Sequence, residues 1–502
     1  MRFSSFNRKA GVQHTRRGVV AVGAAAVLAA AVAGCSADEI TRVDDPDRLP
    51  PSALNDPNFL PVILAGAVRD FTVAYVGNGG GSADLLDGEG QVLQSGLLSD
   101  EFYASGTFPT RIEVDRRSTT DDNPNNQDVF RLLSRARRAA EQAADAFVRL
   151  DTAQSRVGRA QALNLAGFAY VLFGENYCSG VPVSEFSEAT DEFTYGTPLP
   201  TDSLFLRALS RFDAALAAAT AEEDEQMANL ARVGRGRALL NLNRPADAAA
   251  AVAAVPTGFT YVVESSANTT DQNNGIWDFS ANQGRWSVAN NQGGNGLPYR
   301  DAFDLGDTRV PYYLAPVGDA TRVGFARAVL RYQITKYPQR QTPTVVANGV
   351  EARLIEAEAA LRTGDVGTFL ARHNALRADP SLYTCPAQAL GCVDRTAPLP
   401  ALTDPGAAAR VDTHFRERAF WLYATSHRLG DMRRLLRQYG RNAETVYPTG
   451  TYNRPAAAGG VIETGAGRGT FGTDVSLPVP FDERNNSNFQ SCDNTQAGEV
   501  RQ

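Results

Sequence analysis

The sequence predicts a mainly α fold of paired helices, interrupted by a long loop-rich insertion and closed by an irregular C-terminal segment. Three observations predict it. Apolar residues recur at spacings of three and four in consecutive segments on both sides of the chain's middle. Between about 257 and 345 that periodicity gives way to Gly, Asn, Gln and aromatic residues. Residues 441–502 are rich in Gly and Pro.

The N-terminus reads separately. Arg2, Lys9, Arg16 and Arg17 form a basic head, and Val19–Val32 form an apolar run. That run is shorter than the roughly 20 residues that span a bilayer. Basic head and short apolar core together predict a signal peptide over 1–34. Small residues lead into a cysteine at Ala33-Gly34-Cys35, which resembles the lipobox of bacterial lipoproteins. Cys35 is therefore the expected lipidated first residue, 35–55 a polar tether, and a membrane surface the expected location. A chance cysteine after an ordinary signal peptide is the alternative. Each buried methylene contributes about 0.8 kcal/mol, so several acyl chains anchor stably where one is marginal. The Arg16-Arg17 pair leaves the export route open.

Helices are then predicted in order. The first covers Pro57 to Val73, followed by a glycine-rich loop, Gly77-Asn78-Gly79-Gly80-Gly81-Ser82. That loop lacks the lysine and spacing of a phosphate cradle. Residues 127–150 carry Val129, Leu132, Leu133, Ala136, Ala140, Ala143, Phe147 and Leu150 on one stripe, with Asn125 or Asn126 as cap. A helix from about Gln154 to Phe173 is expected to stop at Gly174. Others follow near 202–219, 225–241 and 245–254, the last opened by Pro245 and ended by Pro256. Consecutive pairs with short connections predict tetratricopeptide-like hairpins. Helices resume at about 346–363, 365–378 and 406–439. A core domain over 56–502 is expected, with its helical parts bracketing the insertion.

Charge and composition exclude several classes. A net charge of −7 offers no basic excess for nucleic acid. Beyond Cys35 the cysteines are Cys178, Cys385, Cys392 and Cys492. An even number in an exported chain predicts two disulfides. Of three connectivities, Cys385–Cys392 closing a short loop and Cys178–Cys492 tying the tail to the body are favoured. The histidines are His14, His373, His414 and His427; none is near a cysteine in sequence, and no metal site is expected. Neither a His-Glu-x-x-His zinc motif nor a Gly-x-Ser-x-Gly elbow occurs. No catalytic residue, cofactor or enzymatic activity is expected.

Asp100-Glu101, Phe168-Ala169-Tyr170, Asp307-Thr308-Arg309, Glu417-Arg418 and Arg428 with Asp431, Arg433 and Arg434 stand in this order along the chain, and with their flanking residues they resemble the SusD/RagB family of outer-membrane nutrient-capture lipoproteins. Leu98-Ser99-Asp100-Glu101 resembles an early family segment. Ala162, Leu163, Leu165, Phe168-Ala169-Tyr170 and Gly180-Val181-Pro182 resemble a helix and its exit, although the turn at Cys178 departs from the pattern. Asp307-Thr308-Arg309 precedes a Tyr-rich stretch. Lys336-Tyr337-Pro338 and Glu351 to Ala359 resemble the entry into a later helix. Glu417-Arg418, Arg428, Asp431, Arg433 and Arg434 match an "ER … hR-x-x-DLrR" motif in spacing, and Val475 to Pro480 with Glu483 resembles the family's terminus. Trp421 stands where Glu is usual, and Thr425-Ser426 replaces Glu-Gly, so the branch is distant. The resemblance implies four tetratricopeptide-like units supporting a loop-rich face. It also implies binding and delivery of an oligomeric nutrient, glycan or peptide, to a SusC-like TonB-dependent barrel in the outer membrane. Glu417, Arg418, Arg428, Asp431 and Arg434 read as a buried ion network locking helices, as do Glu356 and Glu358; a charged binding site is the alternative.

Sugars present an apolar face and a hydroxyl-bearing edge, so exposed loop aromatics are the expected contacts. Trp277 and Trp286 lie in an Asn/Gln/Ser-rich stretch, with Tyr299 and Phe303 after it; Phe102, Tyr103 and Phe108, with Arg111, follow Asp100-Glu101. The alternative places these rings in the core. Trp421, inside a helical motif, reads as core. A second functional expectation is a tetratricopeptide scaffold lipoprotein that organises envelope proteins and binds no small molecule.

Overall fold

Side-chain caps open some of the helices, and a proline in the first turn opens others. The computed structural model describes residues 56–79, 88–150, 158–187, 192–393, 397–457 and 469–498. The expected signal peptide, Cys35, the tether and the Gly80-Gly81-Ser82 end of the glycine loop lie outside them. Helix α1 is Leu60–Val76, entered through a single 3-10 turn at Pro57–Phe59. Short helices α2 (Gln91–Leu98) and α3 (Pro109–Asp115) flank strand β1 (Phe102–Ala104). Helix α4 is Pro124–Arg149. Its cap is Asn123, whose Oδ1 accepts the Asn126 N–H at 3.1 Å, with Pro124 in the first turn. The expected caps, Asn125 and Asn126, fall inside the helix instead.

Helix α5 is Arg159–Asn176 and runs through Gly174 rather than stopping there. The glycine is needed for packing: a Cβ at Gly174 would lie 2.7 Å from the Phe205 ring. Four short strands follow: β2 (Val181–Pro182), β3 (Glu185–Ser187), β4 (Glu192–Thr194) and β5 (Pro198–Leu199). Helices α6 (Thr201–Ala221), α7 (Glu225–Asn241) and α8 (Pro245–Val252) come next, and Asp224 Oδ1 caps α7 by accepting the Met227 N–H at 3.0 Å.

From 257 to 345 the elements are short. They are β6 (Thr260–Val263), β7 (Trp286–Val288), α9 (Tyr299–Asp304), β8 (Tyr312–Tyr313), β9 (Gln333–Ile334) and the start of β10 (Thr344–Asn348). Helix α10 (Gly349–Thr363) is capped by Asn348 and ends on the left-handed Gly364, φ 74°; α11 is Val366–Arg377. The expected helix at 406–439 is two helices, α12 (Ala407–Trp421) and α13 (Arg428–Tyr439). The chain breaks between them at Ala424 and Ser426, with φ of 54° and 55°. A single helical turn at Ala443–Val446, strands β11 (Thr451–Tyr452) and β12 (Gly469–Thr470) and a 3-10 turn at Phe481–Asn485 close the order.

The helices pack in sequence: α4 on α5, α5 on α6, α6 on α7, α7 on α8, α8 on α10, and α10 on both α11 and α12. This is a helical fold of tetratricopeptide-like hairpins. Every strand pairing among the described residues is a two-stranded antiparallel ladder. One of them, β1 with β7, ties the early loop to the insertion, placing Phe102 opposite Val288 and Ala104 opposite Trp286. The core runs continuously from the α4–α7 stack, with Phe130, Phe168, Phe173 and Phe212, to Tyr423 and Leu477 in the C-terminal third. The tail is held by backbone bonds, Leu477 N–H to Asn176 O at 2.7 Å and Cys178 N–H to Leu477 O at 3.0 Å. Disulfides join Cys178 to Cys492 and Cys385 to Cys392, with Cα atoms 5.8 and 5.7 Å apart.

Candidate ligand-binding face

The charged motif residues sit deep in the helical body. Glu417 accepts from Arg309 Nη1 and Arg377 Nη1, each at 2.8 Å, and from Trp421 Nε1 at 3.2 Å. Burial alone raises its carboxyl, but the two guanidiniums outweigh that and hold it down at about 2. Arg418 grips Asp431 with bonds of 2.8 and 3.0 Å, and Arg434 joins Asp431 at 2.7 Å to Glu358 at 3.0 Å. His414 Nε2 lies 3.2 Å from Glu358, whose carboxyl is held far below its usual range. Arg428 reaches Asp100 with bonds of 2.7 and 3.0 Å. The network binds α12 and α13 to α10, to the early loop through Asp100, and to the insertion through Arg309. All of these side chains are buried, so the arrangement is an ion network that fixes packing. Glu356, on the same helix as Glu358, pairs with Arg353 of that helix and with Arg372 of α11.

The rings expected to face a ligand are mostly inside. Trp286 and Tyr299 are 0% exposed, Phe102 is 0% and Tyr103 is 3%. The reason is the β1–β7 ladder, which turns Phe102 and Trp286 inward. Trp286 packs on Phe279 at 5.1 Å, and Tyr299 packs on Phe420 and Tyr423. Some of the polar neighbours that suggested exposure for Trp286 serve local turns, Asn274 accepting the Trp277 N–H and Asn282 donating to Asp278. Arg111 is also buried, paired with Glu89, its Cζ 4.8 Å over the Trp286 ring. Trp277 is half-buried, and Phe108 is 43% exposed.

Other residues of the insertion form the accessible surface. The rings of Phe303, Tyr312 and Tyr332 follow one another at 5.1 and 5.5 Å, each partly exposed. The Arg300 guanidinium stacks on Tyr332, 3.6 Å from its centroid. Arg300 also lines a cleft of about 370 Å³ with Tyr103, Asn290, Asn291, Gln292, Thr451 and Asn453. The wall is pre-shaped. Asn290 Oδ1 accepts the Arg300 N–H at 3.0 Å, and Asp301 accepts from Asn290 and Asn291 at 2.9 and 2.8 Å. Gly293, at φ 63°, lets the wall meet the C-terminal segment: a Cβ there would lie 2.4 Å from Thr449 N. A second exposed stack joins the insertion to the early loop. Arg285 Cζ is 4.5 Å from the Phe108 centroid and 4.0 Å from that of Phe325. Phe108 and Phe325 are 43% and 50% exposed. Aromatic faces beside amide and hydroxyl groups suit a ligand with apolar faces and a polar rim.

Sequence reasoning passed over Arg285, Arg300, Tyr312, Tyr332 and Phe325. The only signal for any of them was the Tyr-rich stretch after Asp307-Thr308-Arg309. Two larger clefts lie elsewhere. One, of about 540 Å³, is walled by Arg137 on α4 with Ser184, Phe193 and Asn486. The other, of about 680 Å³, lies between α1 and β6 at Leu64, Val68 and Tyr261. Among the described residues no group of His, Cys, Asp and Glu is arranged to hold a metal.

No family model matches the sequence, and no curated protein matches it. Solved structures do match. A SusD-like carbohydrate-binding protein from Bacteroides fragilis superposes with a TM-score of 0.59 at 15% identity, covering 88% of this chain and 100% of its own. A SusD homolog from Bacteroides thetaiotaomicron gives 0.59 at 13%, covering 89% and 99%. Surface glycan-binding protein A from Bacteroides uniformis gives 0.56 at 13%, covering 88% and 100%. The chain therefore has the SusD-like fold, at low sequence identity to these structures.

Proposed function

We propose that this chain is a cell-surface nutrient-binding lipoprotein. It captures a glycan or similar oligomer on its loop-rich face and passes it to a SusC-like TonB-dependent transporter in the outer membrane. The observation that carries the reading is the run Phe303–Tyr312–Tyr332–Arg300 beside the polar cleft, on a fold shared with glycan-binding proteins. A tyrosine platform immobilises few rotatable bonds when it covers a sugar face, so stacking is gained at low entropic cost. The cleft's amides and hydroxyls supply directional bonds to sugar hydroxyls. Lipid on Cys35 keeps the face at the membrane, next to the barrel that takes the cargo.

The test uses the full chain purified in detergent. A glycan and peptide array is expected to give saturable binding that Tyr332→Ala weakens at least about tenfold, the scale of a lost stacking contact. Affinity tagging in the native envelope is expected to bring down a TonB-dependent barrel. Unchanged binding in Tyr332→Ala, together with recovery of non-transport envelope proteins alone, would sink the proposal.

A further inference from the structure

Most buried arginines of the helical body meet carboxylates, as does Arg309 of the insertion. Arg237, Arg309, Arg377, Arg418, Arg428 and Arg434 each pair with Asp or Glu. Arg433 and Arg137 have no such partner and donate to carbonyls instead, Arg433 to Ala497 and Gly174 and Arg137 to Ser184. The loop face breaks this pattern. Arg300 makes no side-chain hydrogen bond or ion pair among the described residues, and its Nε is buried without a partner. Its neighbouring carboxylates are turned elsewhere: Asp301 to Asn290 and Asn291, Asp304 to the Tyr312 hydroxyl at 2.7 Å. Arg285 donates its Nε to the neutral Gln283 at 2.8 Å, and its Nη1 is buried and unpartnered. Glu89 and Asp278 act on Arg285 only from beyond contact. Two half-buried guanidiniums thus lie against aromatic rings with unused donors and no carboxylate in contact.

An unpaired cation at partial burial is costly unless something anionic completes it. A guanidinium fork matches a carboxylate or sulfate with two parallel bonds. From this juxtaposition we infer that the loop face selects an anionic oligosaccharide, one bearing uronate carboxylates or sulfate esters. Arg300 reads one charge in the cleft, and Arg285 reads another at the Phe108–Phe325 stack. The rings between and beside them take the apolar faces of the sugar units. This inference rests on the nutrient-capture reading and names its substrate class. The charge contribution is screened by salt, so binding weakens as ionic strength rises.

The experiment is an array of neutral, uronate-bearing and sulfated polysaccharides, probed with the full chain in detergent at low and high salt. Each retained anionic polymer is retested after methyl esterification or desulfation, and the uronate and sulfate arms show which group is read. The expected result is retention of anionic members, at least about tenfold weaker once neutralised. Arg300→Gln and Arg285→Gln are each expected to shrink that ratio while the thermal midpoint stays at the wild-type value. Equal retention of a neutral polymer, or a ratio untouched by both variants, overturns the anionic inference and leaves glycan capture standing. Retention of no polysaccharide of any charge overturns both.

Discussion

Asp431 sits between Arg418 and Arg434 with almost no exposure, so Asp431→Ala leaves two buried cations short of a carboxylate. Removing one partner of a buried pair costs about 3–5 kcal/mol. The urea midpoint is expected to fall by the corresponding amount with the slope unchanged. A loss below about 1 kcal/mol, the range of exposed pairs, would show that the network is solvated. Glu101 carries a pH signature of its own. Burial pushes its carboxyl up to about 8, against the Ala424 N–H that bonds it, from an ordinary value of 4.5. Between those values the folded state holds a proton that the unfolded chain has released, so stability falls as pH rises. Glu101→Gln removes that term, and the variant is expected to gain on the wild type between about pH 5 and pH 8. Parallel stability curves would contradict the assignment. The ionic residues were legible because they recur as a spaced motif. The exposed rings of the candidate face were not: no periodicity separates Trp286, which the β1–β7 ladder buries, from Tyr332, which stays partly exposed.

At the scale of elements, close helix packing rests on small residues facing rings. A Cβ at Gly167 on α5 would lie 2.6 Å from the Phe212 ring, and one at Gly234 on α7 would lie 2.3 Å from it. Phe212 of α6 is thus wedged between two neighbouring helices. Gly234→Ala gains up to about 1 kcal/mol of helix propensity but overpacks the wedge, which costs about 1–3 kcal/mol. Thermal melts are expected to show a net fall, partly recovered by Phe212→Leu in the same chain. A rise in the midpoint would mean that the helices sit farther apart. Helix existence was readable from the apolar stripes, and α7 was read to the residue. The break between α12 and α13 was not, since Leu422–His427 contains neither Gly nor Pro. Tertiary bonds hold it: Ala424 N–H to Glu101 at 2.8 Å, the Tyr337 hydroxyl to Ala424 O at 2.9 Å, and Ser426 Oγ to Ser95 Oγ at 3.0 Å. Gly174 misled for a related reason, because the partner that needs it, Phe205, lies on another helix.

Across the whole molecule, the order of motifs along the chain carried the fold, while the composition of the insertion marked only the region of the candidate site. A helical body locked by ion pairs and tied to its tail by Cys178–Cys492 presents short, loop-borne elements on which cations and rings remain unsatisfied. Ligand is expected to meet this face and not the clefts of the helical side. Hydrogen–deuterium exchange on the full chain, with and without a polysaccharide that it retains, distinguishes the two. Added protection is expected in the segments around 289–303 and 449–453, with Phe193, Tyr195 and the α1–β6 groove unchanged. Protection confined to that groove or to the cleft beside α4 would contradict it.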